Sequence, residues 1–203
     1  MSFERPNRKR VKHYHEPGDF HELTFSCYHR MPLLTNDAWR GWLARSIDEA
    51  ATNHAFRIIA FVFMPEHVHL LVRPTRDERA VEDLASFLAA VKRPVSRRVE
   101  KHLKAAKKPL LRRLTIRTRP GQTAFRFWQE GGGYDRNLQT AKAVLSAIDY
   151  LHENPRRRKL VNDVGRWKWS SVRWYASDGQ IVDPDLPTIH RLPAELFYGS
   201  SDR

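Results

Sequence analysis

Hydrophobic residues recur along the chain with two different periods, and each period predicts a different kind of element. Residues 19–30 alternate between apolar and polar positions, with Leu23, Phe25 and Cys27 on one face. This alternation is typical of a strand with one buried face. Residues 55–64 form a longer run of β-branched and aromatic side chains, which predicts a second strand.

A third strand follows the second after a very short break. Pro65 and Glu66 have the chemistry of a turn, and residues 67–74 then read HVHLLVRP. Two apolar runs separated by two turn residues predict an antiparallel hairpin.

Three other segments carry apolar residues at helical spacing, namely residues 35–54, 76–108 and 135–154. Pro94 lies within the second segment, where it is expected to kink or split the helix. Pro155 follows the third segment and is expected to end that helix.

Residues 110–130 give a mixed pattern. A strand or a loop is expected first, then a turn at Pro120 and Gly121, and then a strand over residues 124–129. Three consecutive glycines at 131–133 are expected to break the chain before the last helix.

The order of elements is strand, helix, strand, strand, helix, strand, helix. Antiparallel pairing with helices on one face makes this an α+β protein, a ferredoxin-like or RRM-like sandwich with the hairpin strands in the centre of its sheet. We expect residues 1–18 to form a flexible basic arm and residues 19–155 to form the principal domain. Residues 156–203 then form a basic, Trp-rich C-terminal extension that packs on or near it.

Charge sets this chain apart from an ordinary globular domain. Its 203 residues include 36 Lys and Arg against 23 Asp and Glu, which gives a net charge of +13 and a pI near 10.3. This excess favours a polyanionic partner, most simply nucleic acid. An acidic membrane surface is a weaker alternative because no long basic amphipathic helix is evident. A basic surface that contacts only solvent is the remaining alternative.

The single cysteine, Cys27, excludes an internal disulfide, and no apolar run is long enough to span a bilayer. The N-terminal segment is basic but lacks the apolar core of a signal peptide. These features predict a cytoplasmic protein without a membrane partner.

Basic and aromatic side chains cluster in three places. The candidate DNA-binding residues are Lys92, Arg93, Arg97, Arg98 and Lys101 on the second helix, Arg112 and Arg113 after it, and Arg156, Arg157, Arg158, Trp167 and Trp169 near the end. Arginine and lysine suit phosphate contacts, and tryptophans between cations suit stacking on unpaired bases. Two alternatives stay open: the charges form a solvated helix face, and the tryptophans hold the C-terminal extension on the core.

Two histidines interrupt the apolar third strand. His67 and His69 are two residues apart, so their side chains point to one face of the strand, while Val68, Leu70 and Val72 point to the other. Two imidazoles in register suit joint coordination of one cation. The alternative is that both are hydrogen-bonded core residues, because a two-histidine motif of this length also occurs by chance.

The last helix supplies side chains that could complete such a site. Tyr150 and Asn154 are four residues apart and share a face of the helix, whereas His152 lies on nearly the opposite side. The amide oxygen of Asn154 can bind a hard cation, and the phenol of Tyr150 can act as a nucleophile. Alternatively, Tyr150 packs on the sheet and Asn154 caps the helix end.

Three segments together resemble a known family. MPEHVHLLV resembles the His-hydrophobic-His (HUH) signature of single-tyrosine transposases, YLHENPRRRKLV followed by WKWSS resembles the segment with their catalytic tyrosine, and FWQEGGGYDRNL resembles the region between. The resemblance extends from about residue 20 to about residue 175. The Asn-Pro pair and the WKWSS segment are most similar to the REP-associated tyrosine transposases, which are stand-alone bacterial proteins.

This resemblance implies a metal-dependent enzyme that cuts and rejoins single-stranded DNA beside hairpins. Carried over by motif, Tyr150 is the catalytic nucleophile, and His67, His69 and Asn154 are ligands of Mg²⁺ or Mn²⁺. It also implies REP-like hairpin DNA as a partner, a monomer or a homodimer, and a place near the bacterial nucleoid. Two departures are that some relatives carry Gln in place of Asn154 and that residues 131–133 are richer in glycine than the family pattern.

Two other functions fit the same residues. The protein could bind hairpin DNA with little or no turnover, or it could be a metal hydrolase that uses water while Tyr150 is structural. An intact set of two histidines, Tyr150 and Asn154 favours strand transfer through a 5′-phosphotyrosine.

Overall fold

The computed structural model describes residues 20–75, 84–131 and 133–197, so the expected N-terminal arm lies outside the described residues. The main sheet has four antiparallel strands in the order β2-β3-β1-β6. These strands are β1 (Phe20–Ser26), β2 (Phe56–Phe63), β3 (His67–Pro74) and β6 (Tyr134–Leu138). A separate two-stranded ribbon consists of β4 (Thr115–Arg119) and β5 (Gln122–Phe125). The expected α+β fold with an antiparallel sheet is confirmed.

Helices cover both faces of the sheet, so the expectation of helices on one face is wrong. Helices α1 (Asp37–Asn53) and α2 (Leu84–Ala105) pack on one face, and α4 (Ala141–Arg157) packs on the other. The reason lies in β2, where Ile58 and Phe61 face the first layer while Ile59 and Val62 face the second. A strand that is apolar on both sides needs a cover on both faces.

Only one strand of the hairpin is central. β3 pairs with β2 and with β1, whereas β2 lies at the edge of the sheet. The C-terminal part of the chain satisfies that edge: Phe63 N–H donates to Trp169 O at 2.8 Å, and His190 N–H donates to Ile58 O at 2.8 Å. This region includes the short helix α5 (Val172–Ala176).

α2 continues through Pro94 as one helix, so the expected split does not occur. Proline leaves the carbonyl four residues earlier, that of Ala90, without its helical donor. Ser46 of α1 compensates, because its hydroxyl lies 3.3 Å from Ala90 O and 2.9 Å from Val91 O. The beginning of the predicted segment, residues 76–83, lies outside the described residues.

The last helix begins later and ends later than the pattern predicts. Residues 134–138 form the edge strand β6 on β1, and α4 begins after Thr140, whose side chain accepts from Ala143 N–H at 3.2 Å. Pro155 lies inside the final turn, and the helix ends at Arg157. Pro155 lacks only its own N–H, and the last turn still closes after it, with Arg158 N–H donating to Asn154 O at 3.0 Å.

The mixed segment forms α3 (Leu110–Leu114) followed by the β4–β5 ribbon. The turn at Pro120 and Gly121 is as expected, with Gly121 at φ 73°, the conformation that a glycine in this position of a type II turn adopts. The predicted strand over residues 124–129 is displaced, because β5 ends at Phe125. Beyond it only Trp128 forms a bridge, opposite Cys27.

Candidate active site

The two histidines of β3 lie side by side in the layer between the sheet and α4. Their Nε2 atoms are 3.0 Å apart, and their rings meet edge to face with centroids 4.7 Å apart. Both side chains are buried. The strand alternation therefore brings the two imidazoles together as the spacing predicts.

The outer nitrogen of each imidazole also has a polar neighbour. Nδ1 of His69 lies 2.8 Å from Thr24 Oγ1 on the adjacent strand β1, and Nδ1 of His67 lies 3.2 Å from Glu66 Oε1. Arg158 in turn reaches the same carboxylate oxygen at 2.9 Å. The hydrogen bond with Thr24 fixes the orientation of the His69 ring, whereas the Glu66 carboxylate approaches His67 Nδ1 as a charge without hydrogen-bond geometry.

Burial keeps both imidazoles neutral. It lowers the pKa of His69 to about 3, with the neighbouring His67 adding to the effect. Burial also lowers the pKa of His67, although Glu66 opposes the shift. At neutral pH each ring therefore retains a lone pair that can bind a cation.

α4 brings two further side chains to the pair. Asn154 Nδ2 lies 3.3 Å from His69 Nε2, and the ring of Tyr150 meets the ring of His69 edge to face at 5.6 Å between centroids. Asn154 is buried, while Tyr150 is 39% exposed and can be reached by a large substrate. His152 points away and contacts Ser171 Oγ at 2.9 Å, in a buried place that lowers its pKa to about 4.

The donor set fits a small divalent cation. Two ligands about 2.1 Å from one ion and at right angles lie about 3.0 Å apart, which is the separation of the two Nε2 atoms. A half-turn of the Asn154 amide would bring its oxygen to the nitrogen's position beside His69. Among the residues described, no group of three or more His, Cys, Asp and Glu is arranged to hold a metal, so such a site would consist of His67, His69 and Asn154.

Two of the three arginines after Asn154 lie next to this site. The guanidinium of Arg157 lies 5.2 Å from the ring centroid of Tyr150, and Arg158 pairs with Glu66. Arg156 pairs with Glu153 at 2.7 Å. Two of the three predicted DNA-binding arginines thus lie beside the tyrosine or behind the histidines.

The other predicted DNA-binding residues are spread over a wider surface. Arg93 and Arg97 line a groove of about 370 Å³ between α2 and residues 125–131. Arg98, Lys101, Arg112 and Arg113 are exposed. Lys92 is half-buried and donates to Gly131 O at 3.1 Å, and burial lowers its pKa, so this lysine also holds the loop in place.

The two predicted tryptophans differ in exposure, and only Trp167 is partly accessible. Trp169 is buried in the core, and its indole N–H donates to Asp37 Oδ1 at 2.9 Å. Trp167 is half-buried and donates to Phe63 O at 3.2 Å. Trp169 is therefore corrected from a DNA-binding residue to one that fixes the C-terminal segment on the sheet, which was the alternative interpretation.

Sequence reasoning missed Thr24 and Glu66 as members of the site. Glu66 directly precedes His67, so its proximity could have been inferred. Thr24 is the polar position between Leu23 and Phe25, but only the pairing of β1 with β3 places it opposite His69.

Comparison with known proteins gives a family match over the first half of the chain. Residues 20–115 match the Y1 family described as "Transposase IS200 like". These residues, just under half of the chain, are similar to IS200-like, single-tyrosine transposases, which are enzymes of DNA transposition. The matched residues include the two histidines and end before α4, which carries Tyr150 and Asn154.

One solved structure is similar to the fold of this chain over nearly its whole length. A REP-associated tyrosine transposase bound to a REP hairpin is 18% identical, with a TM-score of 0.60 over 96% of this chain and 100% of that chain. A candidate transposase from Deinococcus radiodurans is 21% identical, with a TM-score of 0.41 over 73% of this chain and 96% of the other. The fold is therefore similar to that of a REP-associated tyrosine transposase. No curated protein sequence matches the chain.

Helices of the kind that cross a lipid bilayer do not occur among the residues that the structure describes.

Proposed function

We propose that this protein nicks and rejoins single-stranded DNA beside a hairpin, with Tyr150 as the nucleophile. The observation that carries the proposal is the meeting of four side chains from two elements. His67 and His69 on β3 and Asn154 on α4 are buried together, and the accessible phenol of Tyr150 lies against the ring of His69.

The chemistry is an exchange of phosphodiesters. The phenol oxygen of Tyr150 forms a bond to phosphorus while the bond from phosphorus to the 3′ oxygen breaks, which leaves a 5′-phosphotyrosine. The phenol loses one proton and the departing 3′ oxygen gains one, so neither ATP nor water is consumed. Attack by another 3′-OH reverses the step and joins a new strand.

His67, His69 and Asn154 would hold Mg²⁺ or Mn²⁺, which when bound would neutralise charge on the scissile phosphate. The chain's own contribution is positioning. Thr24 holds the His69 ring by a hydrogen bond, the Glu66 charge faces His67 Nδ1, and α4 fixes the distance from Asn154 to Tyr150. Arg157, beside the phenol ring, can contact the phosphate as it becomes attached.

The substrate is inferred to carry a hairpin next to the cut strand. The fold is similar to that of a REP-associated tyrosine transposase that was solved with a REP hairpin. The net charge of +13 suits a polyanion. The proposal also includes an active unit that is a monomer or a homodimer, and a location at the nucleoid.

The test is covalent capture. A pool of labelled hairpins with randomised single-stranded flanks is incubated with the protein and Mn²⁺, and the protein–DNA adducts are separated on a denaturing gel and sequenced. We expect adducts with one preferred flank. Tyr150→Phe should lower adduct formation by at least about 10³-fold, because the attacking oxygen is gone.

The matched control is Tyr134→Phe. Tyr134 is an exposed tyrosine on β6, opposite Thr24, and its loss should leave the adduct intact. An adduct that persists in Tyr150→Phe would contradict the nucleophile assignment. Cleavage without an adduct would favour hydrolysis by water, and tight binding without either would favour a hairpin-binding protein.

A further inference from the structure

The β4–β5 ribbon stands apart from the main sheet and has no role in the site described above. Its two strands pair only with each other, and its main contact with the rest of the molecule is through α3. Phe125 and Leu114 anchor its base against the core, whereas residues 117–123 are all exposed. A two-stranded ribbon of this kind buries little apolar surface, so packing alone does not explain it.

Charge is concentrated on and around this ribbon. Residues 101–129 contain nine lysines and arginines and no aspartate or glutamate. The two flanking carboxylates are already paired, Glu100 with Lys104 and Glu130 with Arg126, each at 2.7 Å.

Four arginines of α3 and β4 are without a carboxylate partner among the residues that the structure describes. Within the described ranges, no carboxylate lies at ion-pair distance from Arg112, Arg113, Arg117 or Arg119. Four cations on a short exposed segment repel one another, and an external polyanion would relieve that repulsion.

The ribbon also has the size of an element that enters a DNA groove. The five residues of β4 extend about 17 Å, at about 3.4 Å per residue. The major groove of B-DNA is about 12 Å wide and admits a two-stranded ribbon.

The base of the ribbon continues towards the candidate active site. Residues 126–131 run from Phe125 along the groove with Arg93 and Arg97, and Gln129 N–H then donates to Ser26 O on β1 at 2.8 Å. Ser26 lies opposite His67 in the sheet. Residues 126–131 therefore connect the base of the ribbon with the part of β1 beside the histidine pair. A DNA stem bound to the ribbon would have its base on the side of the candidate active site.

We propose that the β4–β5 ribbon binds the double-stranded stem of the substrate hairpin in its major groove, with Arg117 and Arg119 on stem phosphates. This inference rests on the proposed function, which identifies the DNA as a hairpin. It assigns the hairpin stem to a surface that takes no part in the proposed strand transfer.

The test measures binding without any cleavage. Two fluorescent probes are used in metal-free buffer: a blunt DNA hairpin with no single-stranded flank, and a single strand of equal length that cannot fold. Affinity is measured by anisotropy from 50 to 200 mM KCl for the wild type and for Arg117→Gln/Arg119→Gln. Arg45→Gln/Arg57→Gln removes the same charge from exposed positions outside the ribbon and serves as the matched control.

We expect the ribbon variant to bind the blunt hairpin roughly tenfold or more weakly than the wild type. Its salt slope, log K against log[KCl], should fall by about 2, because each lost phosphate contact removes about 0.9. The control should keep the wild-type slope, and both variants should bind the unpaired strand as the wild type does. Thr123→Glu, which puts an opposing charge opposite Arg117, should weaken hairpin binding in the same way.

An unchanged hairpin affinity and salt slope in the ribbon variant would overturn the inference. So would equal losses in the ribbon variant and the control, or an equal loss on the unpaired strand. The same ribbon-dependent loss on an RNA hairpin would overturn the groove assignment, because the deep, narrow major groove of RNA does not admit a ribbon. The assay measures binding and not adduct formation. The stem-binding inference can therefore be tested even if the proposed tyrosine mechanism fails.

Discussion

The geometry of the His67–His69 pair depends on neighbouring side chains as well as on the strand that carries both rings. A period of two was sufficient to predict that both imidazoles share a face, and a spacing of four was sufficient to place Tyr150 and Asn154 together. Neither spacing predicts that the two pairs meet. Thr24 and Glu66 were not foreseen, because their role depends on which atoms surround each ring once the strands have paired.

Glu66 provides a test of this arrangement. Glu66→Gln keeps the size of the side chain but removes the charge that faces His67 Nδ1 and Arg158. We expect Mn²⁺ affinity to fall about 10- to 100-fold, as is common when an outer partner of a ligating histidine is lost. Isothermal titration of Mn²⁺ into the DNA-free protein measures this directly.

The matched control for that variant is Glu49→Gln, an exposed carboxylate on α1. It removes the same charge far from the histidine pair in the fold, so Mn²⁺ affinity should not change. Equal affinities for Glu66→Gln and the wild type would argue against a part for Glu66 in cation binding.

At the scale of elements, the largest error concerned residues 134–138. The pattern predicts a helix that begins at residue 135, whereas residues 134–138 form the edge strand β6 on β1. Gly133 directly precedes β6 and has a φ of 85°. A Cβ added at this residue would lie 2.0 Å from Thr24 O. Only glycine allows the chain to approach β1 this closely, so the glycine-rich segment has a packing role next to the partner of His69.

Gly133→Ala should therefore be strongly destabilising. The left-handed backbone costs alanine about 1 kcal/mol, and the clash with β1 adds to this, so we expect a loss of roughly 3 kcal/mol or more. Gly121→Ala is the control, because Gly121 has a similar φ of 73° but nothing within 4 Å of an added Cβ. Urea unfolding should report about 1 kcal/mol there, and equal losses in the two variants would contradict the close approach.

At the scale of the whole molecule, the C-terminal segment completes the sheet. Ser170 bridges Val62 on the outer edge of β2, and Trp169 stacks on Phe63 at 6.3 Å between centroids. The expected boundary between residues 155 and 156 falls inside α4, which runs to Arg157. Covering an edge strand in this way also protects it from pairing with other chains.

Trp169→Ala tests that attachment. Removing a buried tryptophan should lower the free energy of unfolding by about 3–5 kcal/mol. At about 2–4 °C per kcal/mol for a chain of this size, the Tm should drop by about 10 °C in a thermal melt. Phe197→Ala removes an aromatic ring that is half-exposed and should change Tm by a few degrees at most. A drop no larger than in the control would mean that Trp169 is dispensable for the fold.

The sequence by itself predicted the local features of this protein. The strand pattern around His67, the helical spacing of Tyr150 and Asn154, the Pro120-Gly121 turn and the basic excess all follow from periods and side-chain types. Packing decided the rest: that β2 lies at the edge, that helices cover both faces, that Ser46 compensates Pro94, and that Trp169 is in the core. These outcomes depend on contacts between residues far apart in the chain, and such contacts exist only once the whole molecule has folded.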